Sequence, residues 1–299
     1  MNKIFFICVI LLFAAFSFAQ GCSDAGICSI GNSLQSTEKE FKNNIEISAI
    51  FGAGEADVTY FSPYISYDRK VNERFSWSSK ITFSSASGSF GTRAAFGDAY
   101  LIGKYTLKEK SNAQWSVLLG SKIPFTSSNL KINGFSLPLD YQSSLGTFDL
   151  FVGTNFKYRK WDFNAALQIP VFNNNKNSYF AEYSSTDDFL TTNLFERKSD
   201  ALFRATYSLN TKNQKFTFKP NVLFIYHLAE DSFENIYGKR ESYVGSKGLT
   251  VNGNLISTYN YSKQKSIEVL LAAPFAVRDI RPDGLTRSFV LAIQYKFLF

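Results

Sequence analysis

The chain of 299 residues is long enough for one large β-domain or two small ones. Its formal charge of +7 is spread over lysine-rich turns, with no arginine-dense patch of interleaved aromatics, which argues against a nucleic-acid partner. After the first twenty residues no apolar run approaches the ~20 residues of a spanning helix, which excludes a polytopic helical membrane protein. The 31 Phe and 16 Tyr, set among abundant Asn, Ser, Thr and Lys, suit a barrel that wears its rings outside.

Residues 1–19 read as a signal peptide. Asn2 and Lys3 make a short n-region, Ile4 to Phe16 an apolar h-region, and Ser17-Phe18-Ala19 places small residues before a cut at Gln20. The run is short for an anchoring helix. Cys8 leaves with this leader, so Cys22 and Cys28 remain as an even pair in an oxidising compartment. A disulfide closing that small loop contributes about 2 kcal/mol. The alternative is lipidation of Cys22, although Gln20 stands where a lipobox has a small residue. Residues 20–43 then form a periplasmic or plug segment, and residues 44–299 the barrel.

From Ile45 onward the chain repeats about ten alternating residues, a short basic turn, ten more, and a longer loop. Period two marks a strand with two unlike faces. Twelve such segments predict an all-β, antiparallel up-and-down transmembrane barrel. They lie near 44–52, 58–69, 74–86, 96–108, 113–125, 146–158, 160–172, 199–210, 214–228, 249–261, 265–278 and 286–299. One face is apolar, as in Trp115, Val117, Leu119, Ile123 and Phe125, or Ile267, Val269, Leu271, Phe275 and Val277. No charge need fall on it, as lipid demands, because a Lys or Arg at mid-bilayer costs ~2–4 kcal/mol. The other face is polar, and its charged members are the candidate lumen-lining residues: Lys80, Asp98, Lys104, Lys122, Asp149, Lys157, Asp162, Arg204, Lys219, Glu268 and Lys296. Pro220 fits poorly, since an interior proline cannot donate to a ladder. It calls for a bulge or for the opposite phase.

Alternation is shared with soluble sandwiches, but three features favour a membrane barrel. Trp77, Trp115 and Trp161 follow short basic turns, and Tyr67, Tyr105, Tyr158, Tyr207, Tyr261 and Tyr295 end strands at the same level, which makes an aromatic girdle. The connections alternate short (70–73, 109–112, 159, 211–213, 262–264) with long (87–95, 126–145, 173–198, 229–248, 279–285). The chain ends on an alternating strand whose Tyr295, Phe297 and Phe299 resemble the signal read by the barrel-assembly machinery.

Three descending strands open alike, with Asp98, Asp149 and Asp200 equally spaced near the outer rim. Three ascending strands end on Pro124, Pro170 and Pro274, each followed by an apolar residue. The simple explanation is hairpin duplication; a selecting polar ring is the functional one. The stretches Gly97-Asp98 through Lys104-Tyr105, Gly120 to Phe125, and Leu145 to Asp149 resemble outer-membrane transporters related to the long-chain fatty-acid transporter and to barrels of phenol degradation. That resemblance implies a channel for small hydrophobic or aromatic solutes with an N-terminal plug.

The functional expectation is thus a Gram-negative outer-membrane channel or transporter for small solutes. Its partners are outer-membrane lipids, the assembly machinery and a small-molecule solute, and no cofactor or metal is expected. Lysines outnumber carboxylates on the inward face, which favours anions. The alternative is a structural or adhesive barrel acting through its external loops. An enzyme is not expected: His227 is the sole histidine, and among Tyr226, Leu228, Glu230 and Asp231 no triad is legible.

Overall fold

The computed structural model describes residues 41–110, 112–284 and 288–299. Twelve strands among them form one antiparallel barrel. They are β1 Asn43–Ala53, β2 in two pieces (Thr59–Phe61 and Tyr64–Lys70), β3 Phe75–Gly88, β4 Gly91–Lys110, β5 Ala113–Pro124 and β6 Thr147–Tyr158. Then come β7 Trp161–Asn173, β8 Asp200–Tyr207 with its continuation Leu209–Asn210, β9 Phe216–His227, β10 Gly248–Asn260, β11 Lys265–Ala276 and β12 Phe289–Leu298. Each pairs with its chain neighbours, and β12 pairs with β1 from Asn44↔Leu298 to Ala53↔Phe289. Closure leaves no unpaired edge, the condition for a sheet to sit in hydrocarbon. No helix among the described residues is long and apolar enough to cross a membrane.

The outer face carries the predicted apolar set. Leu119, Leu101, Ile65, Ile123 and Ile293 are exposed although the chain has a filled interior in which to bury them. This is the outer surface of a membrane barrel, and it places the protein in the Gram-negative outer membrane. At the end with short turns the predicted girdle is built as ring pairs: Tyr67 meets Trp77 edge-on at 5.4 Å, and Trp161 meets Tyr207 at 4.8 Å. A second, mostly phenylalanine girdle, not anticipated from the sequence, lies at the other end. There Phe96 contacts Phe83 and Phe125, and Phe148 contacts Phe172. Ten residues separate Trp115 from Phe125, about 33 Å along a strand, or about 23 Å in height at a tilt of about 45°. That span matches an apolar band.

Strand boundaries agree with the periodicity except at the β3–β4 connection. The long loop expected at 87–95 is absent: both strands run on to a tight turn with Gly88 opposite Gly91. Polar Ser and Thr masked the continuation, because above the membrane neither face of a hairpin needs to be apolar. Pro220 needs neither a bulge nor a change of phase. The β8–β9 register is the same at Thr206↔Asn221 and Leu209↔Phe218, and the ladder lapses only between them, where Pro220 lies. By contrast Pro170 and Pro274 do sit at register shifts.

Candidate functional site

The barrel interior has three levels. At the short-turn end, periplasmic by the rule for such barrels, lies an open cavity of about 660 Å³. Lys157, Arg159, Lys160, Lys215, Lys219, Lys263, Lys265 and Lys296 line it, against Glu46, Asp68, Asp162 and Glu268. Its deeper wall is ion-paired: Lys296 Nζ stands 3.2 Å from Glu46 and 3.1 Å from Glu268, which also accepts from Thr258 at 2.9 Å. Asp162 accepts from Asn155 at 2.6 Å and Asn164 at 2.7 Å.

At mid-height the interior is filled, and one wall of it is apolar, which the sequence reading did not foresee. Tyr100, Ile102, Leu118, Phe151, Leu202 and Leu223 form a buried cluster on the inward face of β4–β9, packed against Ala166 and Ile225. Gly120 makes room for it, since a Cβ there would stand 2.8 Å from Ile102 and 2.9 Å from the Leu101 carbonyl. Beside the cluster, Lys80 holds its ammonium 4.7 Å above the Tyr100 ring and 4.8 Å above that of Tyr64. Lys104 and Arg204 are also buried at this interior face.

The long-loop end is closed by the protein's own loops. The segment 125–146 carries a short hairpin (Lys131–Ile132 with Phe135–Ser136) and a 3₁₀ turn, Leu139–Tyr141. Tyr141 and Leu137 pack with Val58, Tyr60, Tyr179 and Phe189 into one core; Leu139, Leu145, Phe195 and Tyr243 make another. The buried Asn177 ties them, donating to the carbonyls of Ser128 at 2.9 Å and Leu137 at 3.0 Å. Gly284, at φ +63°, presses against this turn. A Cβ there would lie 2.5 Å from Asp140 N, so only glycine fits. A residual pocket of about 20 Å³, bounded by Asp98, Lys122, Gln168, Arg197 and Asp283, has room for about one water.

The three repeated aspartates all lie buried near this end with different partners. Asp98 accepts from Ser144 at 2.5 Å, and Asp149 pairs with Lys122 at 2.8 Å and accepts from Gln168. Asp200 enters a larger assembly. Its Oδ2 meets Arg197 at 2.6 Å and its Oδ1 meets His227 Nδ1 at 2.6 Å. On the far side of the imidazole, Nε2 meets Asp231 at 2.8 Å; Asp231 faces Arg278 at 3.6 Å; Arg278 pairs with Asp283; and Asp283 returns to Arg197 at 2.9 Å. Three cations and three carboxylates thus alternate around a closed ring, all six side chains at most 6% exposed. Burial alone would weaken the Arg197 cation, but Asp200, Asp283 and Asp231 hold it above its usual range. Burial likewise opposes ionisation of Asp283, yet Arg278 and Arg197 keep it below the usual carboxylate range.

His227, around which no triad was legible in the sequence, has two acidic partners. Asp231, four residues on, and Asp200, its cross-strand partner in the β8–β9 register, grip both ring nitrogens. A carboxylate only accepts, so both nitrogens donate and the ring is an imidazolium. With no lone pair to offer, it cannot serve as a general base. Among the described residues no His, Cys, Asp and Glu group suits a metal ion.

No protein-family profile matches this sequence, and no curated protein does. Solved structures do. An outer-membrane channel from Pseudomonas putida F1 aligns with a TM-score of 0.57 at 12% identity, covering 89% of this chain and all of that one (100%). The NanC porin aligns at 0.47 with 9% identity over 85% of this chain and 98% of its own, and the KdgM porin at 0.45 with 11% over 86% and 99%. What is shared at such identities is the closed barrel of outer-membrane channels. The likeness shows that broader fold and does not single out the fatty-acid-transporter or phenol-degradation barrels. The leader, the segment 20–43 up to residue 40, and the Cys22–Cys28 pair lie outside the described residues.

At the chain end, Tyr295 and Phe299 are exposed on the outer face, Phe297 stacks on Phe299 at 5.6 Å, and the Phe299 carbonyl accepts from Asn43 N at 2.9 Å.

Proposed function

We propose that this protein is a channel for small solutes across the outer membrane, without catalytic activity of its own. The observation that carries the reading is the periplasmic vestibule, a cavity of about 660 Å³ with eight Lys and Arg against four carboxylates in its wall. A wall of that sign concentrates anions at the pore entrance. The inward charged residues from Lys80 to Lys296 serve as its lining. The apolar wall on β4–β9 supports a solute with a hydrophobic or aromatic body. Residues 1–19 are the leader, 20–43 a periplasmic or plug segment held by Cys22–Cys28, and Tyr295, Phe297 and Phe299 the assembly signal.

Refolded full-length protein in a planar bilayer tests this. Discrete conductance steps with a reversal potential displaced toward the anion are expected. Silence at every pH and voltage overturns it. A second reading, adhesion, is favoured by Phe135, Tyr183 and Tyr237, whose rings stand 77%, 77% and 79% exposed on the external loops. Deleting those loop tips while conductance persists separates the two.

A further inference from the structure

The ion ring joins three loop segments that backbone bonds also link, Glu196 with Ser232 and Ile280 N with the Gly245 carbonyl. Arg197 comes from the end of the 174–199 loop and Asp200 from β8. His227 ends β9, Asp231 begins the 228–247 loop, and Arg278 and Asp283 belong to the segment after β11. Two backbone links brace it, Lys198 N donating to Asp231 at 2.8 Å and Arg278 to the Ser246 carbonyl at 2.9 Å. Three of the four long loop segments thus converge on one charge cycle, and the fourth, 125–146, rests on it through Gly284.

We propose that this ring is a proton-controlled latch that keeps the extracellular mouth shut while His227 carries both ring protons, and that losing one of them to water lets the loops part.

The chemistry is a balance of donors and charges. With His227 cationic, three positive groups meet three carboxylates, and every carboxylate touches two cations. Loss of one ring proton to bulk water leaves two guanidinium groups against Asp200, Asp231 and Asp283. It also turns one imidazole lone pair toward a carboxylate oxygen at 2.6 or 2.8 Å. A buried anionic surplus facing a lone pair has no local remedy, so separation of the loops and entry of water relieve it.

Of the other ionisable groups near the ring, Asp140 pushes the same way, while Arg281, attracted by Asp283, offsets part of the surplus. Asp140, in the 3₁₀ turn over Gly284, is kept protonated by burial and then by Asp283, its carboxyl pushed up to about 7. As pH rises through that value a second negative charge appears next to Asp283. Tyr243 stays neutral, because burial and then Asp231 push its phenol up. The mouth is thereby closed in acid and at neutrality, and released in alkali.

Movement of the loops can be read without a conducting pore, so its test does not depend on the channel reading. In full-length protein with Cys22 and Cys28 replaced by Ser, Ser143→Cys places a thiol in the small pocket of the mouth, and Phe135→Cys gives an exposed reference. The ratio of maleimide labelling rates at the two sites, in proteoliposomes, cancels the ordinary pH dependence of thiols. This ratio is expected to rise about tenfold from pH 6 to pH 10, a shift in open population of that size. In His227→Gln, which cannot donate from both positions, it should be high and flat. In His227→Lys, which keeps a cation, it should stay low to about pH 9. Correct folding is checked by heat-modifiable migration, and Asp231→Asn supplies a second route to the released state. A wild-type ratio that stays flat, or variants that retain the wild-type profile, overturns the latch. Labelling that follows pH in a protein that never conducts keeps the latch and removes the channel; steady conductance with flat labelling does the reverse.

Discussion

The two ends of this barrel are made from the same alternating strands and behave as opposite solutions to one problem, how to house inward-facing charge. At the periplasmic end the charges border an open vestibule, where Lys157, Lys219 and Lys296 are only half-buried. At the extracellular end long loops fold over the mouth, and charge is buried with its partners, as the Lys122–Asp149 pair and as a closed cycle in which every group has two. Burial therefore does not remove charge; it demands that the charge be complete. The first arrangement suits passage and the second suits closure.

Five substitutions, in four comparisons, break or sharpen that contrast, and the comparisons descend in expected size. Asp283→Ala strands Arg197 and Arg278 with a missing carboxylate in a dry site, and a loss of about 3–5 kcal/mol is expected, read from thermal unfolding in lipid. The matched change in the vestibule, Asp162→Ala, is expected to cost under about 1 kcal/mol because water reaches it. If the two losses were equal, the distinction between the ends would fail. Next, Leu119→Arg puts a charge on the lipid face shared by both halves, at 60% exposure, and should lower bilayer folding stability by about 2–4 kcal/mol.

The third concerns pH. The Asp140 carboxyl moves from an ordinary value of 3.8 up to about 7 because burial and Asp283 disfavour its charge. Between those values the folded loops hold a proton that the unfolded chain has released, so their stability falls as pH rises toward 7. Limited proteolysis of the 125–146 loop should therefore accelerate over that range, while Asp140→Asn flattens the profile. The smallest effect belongs to the vestibule. Lys219→Gln should lower the anion-to-cation permeability ratio in bilayer recordings without changing stability, and an unchanged ratio would detach Lys219 from the permeation path.

Much of this was legible in the order of residues. Alternation of Ile267, Val269 and Leu271 with Glu268 and Leu270 fixes which side of β11 meets lipid, because side chains of a strand point to opposite faces whatever the neighbours are. The tryptophans after short turns locate one membrane interface, since an amphipathic ring prefers that boundary. The inward apolar wall was harder to see. Leu118 and Leu202 lie in phase with polar residues, and only the strand register shows that they join Phe151 and Leu223 in one buried cluster.

The ring shows where local pattern ends. Asp200 and His227 are cross-strand partners, and that register could have been counted outward from the β8–β9 turn. Arg197 and Asp283 are 86 residues apart in segments with no periodicity. Strand identity, facing and girdle follow from sequence because they depend on the period of the backbone and on lipid as a solvent. The closed mouth and its charge cycle were decided by tertiary structure, because loop residues gain partners only when a shared enclosure removes the water that would otherwise satisfy them.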